Sequence, residues 1–297
     1  FMPSTSLFFP KKLQGTALGI QAGIGNFGVS VVQFVTPAIL GIALVGLPQT
    51  FVKDGKESTI FLQNASWIWV PFVVVGAVVA WFGLRSVPVQ ASFKEQLDIF
   101  KDKHTWLMTS LYIMTFGSFS GLAATFPLLI KQLYGGFENA PDPLAYAFLG
   151  PLVGAGIRVV AGPIADKVGG GKVTLVSAIG LTVFAVLMIP YAAPQSIDAW
   201  PGFLWIMLGL FLFSGIGNAS TFKQMPMIFP PRQAGGVIGW TSAIAAYGPF
   251  IFSVLLGSIM GTGKNASSFF VGLAIFCFAN LLLNWWFYTR KNAEKPC

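Results

Sequence analysis

Long apolar runs separated by short basic loops set the pattern of this chain. A membrane-spanning helix needs about 20 consecutive, mostly apolar residues. Residues 1–9 form a short stub that reads as the end of an earlier helix. After it, eight runs meet the length, at roughly 15–46, 66–84, 104–130, 144–165, 173–193, 201–228, 236–260 and 267–289. The loops test that count. On the side where the stub exits lie Lys11, Lys12, Arg85, Lys94, Lys101, Lys103, Lys167, Lys172, Arg232, Arg290, Lys291 and Lys295. The opposite loops hold only Lys53, Lys56, Lys131 and Lys264. Basic residues concentrate in cytoplasmic loops, so the alternation predicts eight spans with the Lys11 side in the cytoplasm. Two cations remain, Arg158 and Lys223, and both fall inside spans.

Composition supports this reading. Hydrophobic residues make up 55% of the 297 and charged residues 9%, against about 25% charged in soluble domains. The net charge of +8 would suggest nucleic acid in a soluble protein; here it is absorbed by the loops, and no nucleic-acid partner is expected. Cys277 lies in an apolar run and Cys297 ends the sequence, without the spacing of a metal or redox motif. No nucleophile elbow, phosphate loop or His/Cys cluster is present, so neither an enzyme nor a cofactor is expected. The sequence opens on Phe1 in apolar residues, which reads as a fragment lacking upstream helices.

Loop 85–103 is the longest and most charged on the inner side. Phe93, Leu97 and Phe100 recur there at helical spacing, which predicts a short amphipathic helix at the membrane surface. A shift of 220 residues aligns Phe9-Pro10 with Phe229-Pro230, Lys12 with Arg232, Gly15 with Gly235, Gly19 with Gly239 and Gly28 with Gly248. Parallel repeats of this kind describe carriers built from two similar halves. The expected organisation is the remainder of one six-helix bundle at 1–84, a cytoplasmic linker at 85–103 and a complete six-helix bundle at 104–297.

Three stretches carry candidate chemistry. Gly162-Pro-Ile-Ala-Asp166-Lys167-Val-Gly169-Gly-Gly-Lys172 joins one span to the next through a tight basic turn. Its glycines permit a sharp reversal. Asp166 can pair with the nearby loop cations and sit against a helix N-terminus. The stretch resembles the signature loop of the major facilitator superfamily, here between helices eight and nine. It predicts a cytoplasmic latch built from Gly162, Asp166, Lys167, Gly169 and Lys172.

Arg158 sits midway along span 144–165. A guanidinium at the bilayer centre costs about 2.5–3.5 kcal/mol on insertion scales, and no acidic residue lies within a span to neutralise it. Either a ligand anion supplies the negative charge, or backbone carbonyls or an upstream carboxylate do. The planar fork of an arginine matches planar oxyanions. The third stretch, Gly19-Ile-Gln-Ala-Gly23-Ile-Gly25-Asn26-Phe-Gly28-Val-Ser30, places glycines along a helix. They serve close helix packing or expose backbone to a small ligand, and Asn26 can donate two amide hydrogens to an oxyanion. The second membrane cation, Lys223, is expected to snorkel to the cytoplasmic face, with a place in an anion path as the alternative.

Gly23-Ile-Gly-Asn26-Phe-Gly28-Val-Ser30-Val-Val-Gln33 resembles the helix-five nitrate signature of the nitrate/nitrite porter family. Ala65-Ser-Trp67-Ile-Trp69-Val-Pro71-Phe72, Thr115-Phe116-Gly117-Ser118-Phe119 and Ser214-Gly-Ile-Gly217-Asn218-Ala-Ser220-Thr221-Phe222-Lys223 resemble its helices six, seven and ten. The resemblance implies an all-α major facilitator fold, about eight of an expected twelve helices, in the inner membrane. It implies transport of nitrate, nitrite or both, by a monomer needing no cofactor. Nitrate would bind between the halves on two arginines, of which Arg158 matches the one on helix eight. Asn26 and Gly25 match the helix-five motif, Tyr112 and Phe116 the helix-seven aromatics, and Phe222 the helix-ten aromatic. At Thr241–Gly248 alanines stand where the family's second signature is rich in glycine. The absence of a titratable group in the visible path favours anion exchange over proton symport.

Overall fold

A computed structural model describes residues 2–53, 56–85, 96–261 and 265–297. Among these, eight helical segments are long and apolar enough to cross a membrane: α1 (Lys11–Ile39), α2 (Asn64–Gly83), α3 (Lys103–Tyr134), α4 (Pro143–Val168), α5 (Gly170–Tyr191), α6 (Ile197–Ile228), α7 (Pro231–Met260) and α8 (Ser267–Thr289). A short helix, Met2–Phe8, precedes them. The fold is an all-α polytopic membrane protein.

Each span begins where the sequence supplies a cap or a break. Asp102 accepts from the His104 amide at 2.8 Å and starts α3; Asp142 does the same for Leu144 at 3.0 Å, with Pro143 in the first turn of α4. Such side-chain acceptors satisfy amides that have no partner within the helix. Gly169, at φ +105, separates α4 from α5. Only glycine takes that backbone conformation without strain, so the chain reverses there in a single residue. In α3 a π-helical turn, Ile113–Gly117, interrupts the α-helix. It directly follows Tyr112 and contains Phe116, and turns of this kind re-aim side chains at functional sites.

The core is formed by α3, α5, α6, α7 and α8, joined by Leu18 and Ala22 of α1, and includes Phe119, Phe126, Phe203, Phe211 and Phe270. α1 lies along α4. The glycines of α1 divide into two sets. A Cβ on Gly15 would crowd the Gly162 carbonyl at 2.6 Å, one on Gly19 the Arg158 carbonyl at 2.9 Å, and one on Gly23 the Ala155 carbonyl at 2.9 Å. These three recur every fourth residue and so share one face, which lets the two backbones touch. Gly25 and Gly28 meet nothing within 4 Å, and Gly28 lines an apolar groove with Ile24, Phe27 and Val31. By contrast Val70–Gly83 buries no residue; Trp81 and Phe82 are each 83% exposed.

The structure corrects the bounds of the first span. The first span ends at Ile39 rather than 46. It is followed by an antiparallel hairpin, Gln49–Lys53 (β1) with Lys56–Ile60 (β2), in which Thr50 pairs with Thr59 and Val52 with Glu57. The β-branched residues Thr50, Val52, Thr59 and Ile60 suit strands, and Asp54-Gly55 between them is a hairpin signal in the sequence. Leu97 and Phe100 occupy a 3₁₀ turn, Leu97–Lys101; Phe93 and Lys94 of the expected amphipathic helix lie outside the described residues.

After α8 the tail folds back over the inner ends of the helices. The Gly171 amide donates to the Cys297 carbonyl at 2.8 Å, and Glu294 accepts from Lys103 at 2.7 Å. The Lys103 ammonium holds the Glu294 carboxyl below the usual carboxylate range.

Candidate functional site

The site is assembled on the inner faces of α1, α3, α4 and α6. The α1–α4 glycine contact carries Arg158 against α1, with 0% of the residue exposed. Its Nη1 donates weakly to the Ala22 carbonyl at 3.4 Å, while Nε and Nη2 have no hydrogen-bond partner among the described residues. The guanidinium carbon sits 4.0 Å from the centre of the Phe119 ring and 5.8 Å from that of Phe116. A desolvated cation–π contact contributes about 2 kcal/mol. Each unpaired buried donor costs about 1–3 kcal/mol, on top of the insertion cost of the charge. The aromatic ring therefore offsets only part of the deficit. Among the described residues no carboxylate pairs with Arg158.

The aromatic residues continue from there. Phe116 stacks on Tyr112 at 5.4 Å, and Tyr112 meets Phe222 at 4.9 Å. Tyr112 and Phe222 are buried. Asn218 on α6 donates Nδ2 to the Tyr112 phenol at 3.0 Å, and its own Oδ1 is unpaired. On α1, Asn26 donates Nδ2 to the same Ala22 carbonyl that Arg158 approaches, at 2.8 Å. The structure thus brings Arg158, Asn26, Tyr112, Phe116 and Phe222 into one neighbourhood. Gly25 has only open space around its α-carbon. Sequence reasoning missed Phe119 as the ring beneath the guanidinium, although it lies three residues beyond Phe116. It also missed Asn218, whose signal was an amide buried in an apolar span.

Two turns along α4 lies a second charged cluster. Asp166 accepts from the Gly15 amide at 2.9 Å, and from the Thr16 amide and hydroxyl, each at 2.7 Å. Lys223 of α6 completes it at 2.8 Å and also donates to the Lys11 carbonyl. Lys223 therefore does not snorkel: it is 5% exposed, because α6 delivers it onto the Asp166 carboxylate. Nor does Asp166 pair with the loop cations, since Lys167 and Lys172 point outward and are exposed. Gly162 contacts Gly15 directly, and Gly169 makes the turn.

The sequence profile of the Major Facilitator Superfamily matches residues 1–226. A probable nitrate/nitrite antiporter, NarK2 of Thermus thermophilus, is 64% identical over 302 residues, covering 100% of this chain and 68% of that protein. The chain belongs to the nitrate/nitrite porter family of the major facilitator superfamily. The nitrate/nitrite transporter NarU of Escherichia coli is 36% identical to this porter over 319 residues, covering 98% of the chain and 67% of the relative. NarU of Salmonella typhimurium is 35% identical over 325 residues, covering 99% and 68%. Both clusters of the porter, Arg158 and Asp166–Lys223, fall within the region the superfamily profile matches.

Proposed function

We propose that this porter exchanges nitrate and nitrite across the cytoplasmic membrane by alternating access, as a monomer without a cofactor. The observation that carries the reading is Arg158: a buried guanidinium with two donors free, a ring beneath it and no carboxylate paired with it among the described residues. A planar oxyanion fits that set. It accepts from Nε and Nη2 side by side, lies among flat rings, and supplies the charge the protein withholds. Asn26 and Tyr112 add donors, and Phe116 and Phe222 form the walls. The names of the relatives point to the same anions.

Charge compensation gives exchange its logic. Without an anion, an uncompensated cation opposes the closing of the two bundles, 1–84 and 104–297, around it. With an anion bound, closure proceeds. The cytoplasmic latch at Gly162, Asp166, Lys167, Gly169 and Lys172 holds α1 to α4 through Asp166 in the state described, and opens in the inward-facing state. Here Lys223, rather than the loop cations, balances Asp166.

The test is uptake of external nitrate into proteoliposomes. Exchange requires nitrite or nitrate inside and works without a pH gradient. Strong uptake into anion-free vesicles driven by a pH gradient would instead establish proton symport. Transport of bulkier organic anions with equal efficiency would point to a different carrier class.

A further inference from the structure

We propose that Asn218 is a positioning residue for the anion: it holds the Tyr112 phenol so that the phenol proton points at the anion on Arg158. The inference rests on the reading of Arg158 as an oxyanion site.

The argument begins with what each group can donate. A phenol has one proton and an oxygen that accepts; an amide nitrogen only donates. Asn218 Nδ2 donates to the Tyr112 oxygen at 3.0 Å. The oxygen's accepting side is then taken, and the phenol proton must go elsewhere. The other hydroxyl beside it, Ser242 Oγ, interacts with the phenol but is not placed for a well-formed hydrogen bond and has no other partner among the described residues. Tyr112 is buried, so bulk water does not take the proton either. What the ring does face is the aromatic wall shared with Arg158, since Phe116 stacks on Tyr112 at 5.4 Å and lies 5.8 Å from the guanidinium.

The state of Asn218 itself points the same way. It is fully buried, and its Oδ1 has no partner among the described residues. An amide kept only for packing would do better as leucine, which has the same branching and number of heavy atoms and no oxygen to desolvate. Its NH2 therefore earns its place through Tyr112.

The consequence is specificity. Arg158 Nε, Arg158 Nη2 and the aimed phenol are three groups that face the anion as donors only. Nitrate offers three acceptor oxygens and nitrite offers acceptors alone. Bicarbonate is a planar oxyanion of similar size, but one of its oxygens carries a proton that needs an acceptor. A phenol locked as a donor cannot provide one, so the site discriminates against planar anions that are themselves hydroxylated.

The test is nitrate and bicarbonate binding by titration calorimetry to the purified whole carrier, with melting temperature measured alongside. Tyr112→Phe and Asn218→Leu should each weaken nitrate about tenfold, the order expected of one hydrogen bond to a charged group. The double variant should be no weaker than Tyr112→Phe, because the two losses are the same interaction. Asn218→Leu should also narrow the preference for nitrate over bicarbonate, since the freed phenol can turn and accept. Its melting temperature should be unchanged or higher. If Asn218→Leu does not fold, Asn218→Ser carries the same cycle. Wild-type nitrate affinity in Asn218→Leu, or losses that multiply in the double variant, would overturn the inference while leaving the Arg158 site intact. No nitrate or nitrite binding by the wild type would overturn both.

Discussion

Arg158 and Asp166 lie eight residues apart on α4 and are treated in opposite ways. Asp166 is saturated: two backbone amides, a hydroxyl and the Lys223 ammonium all converge on its two oxygens. Arg158 is left short, with two donors unpaired and a ring for company. Both are buried where water cannot compensate them. A buried charge without a partner is costly unless its partner arrives from outside. One end of α4 is fixed to α1 and α6 by a saturated carboxylate. The middle of the same helix carries a charge that, on the reading proposed above, an anion completes.

The sharpest way to break that contrast is to exchange the fork for a point charge. Arg158→Lys keeps the charge but loses paired donation to a planar anion. Loss of a charge-assisted bond of about 1.5–3 kcal/mol should weaken nitrate binding roughly 10- to 100-fold and remove most exchange in proteoliposomes. Near-normal exchange by Arg158→Lys would make the guanidinium a structural cation and erase the distinction from Asp166.

The second variant acts on the saturated end. Asp166→Asn removes the charge that neutralises Lys223. Both side chains are almost fully buried, at 7% and 6% exposed, and breaking such a pair costs about 3 kcal/mol or more. The α1–α4 contact should open more readily. Spin labels at the exposed positions Lys12 and Lys167 should report a longer distance, and turnover should fall, while nitrate affinity stays near the wild-type value. A large loss of affinity with no change in distance would mean that the two clusters are one site.

How far this contrast could be read beforehand depended on the kind of signal. The spans were legible because apolar length and loop charge are one-dimensional properties, and Arg158 stood out as a lone cation in such a span. Partner choice was not legible. Lys223 looked able to snorkel because its distance from Asp166, 57 positions earlier, is set by how α6 crosses α4. The hairpin at Gln49–Lys53 and Lys56–Ile60 was hidden by its apolar neighbours, although Asp54-Gly55 advertised it. Phe119 follows the π-helical turn at Ile113–Gly117, which shifts the phase of α3, and no periodicity argument anticipates such a turn.

The glycines of α1 sharpen the contrast with the smallest effects. Sequence alone left them two roles, packing or ligand access, and the structure separates the positions that can serve each. A Cβ on Gly19 would lie 2.9 Å from the Arg158 carbonyl and 3.0 Å from the Gly162 α-carbon. Both are backbone atoms that cannot turn aside, so Gly19→Ala must push α1 off α4, at about 1–3 kcal/mol for overpacking. Because that contact also carries Asp166 and Arg158, melting temperature and turnover should fall together. Gly25→Ala adds the same methyl where nothing lies within 4 Å. Its melting temperature should hold or rise, since alanine favours a helix over glycine by up to about 1 kcal/mol. Nitrate affinity then decides what the open face is for. If Gly25→Ala weakens nitrate while the fold is unharmed, the anion passes along that face of α1. Unchanged affinity leaves Asn26, not Gly25, as the contribution of α1 to the site.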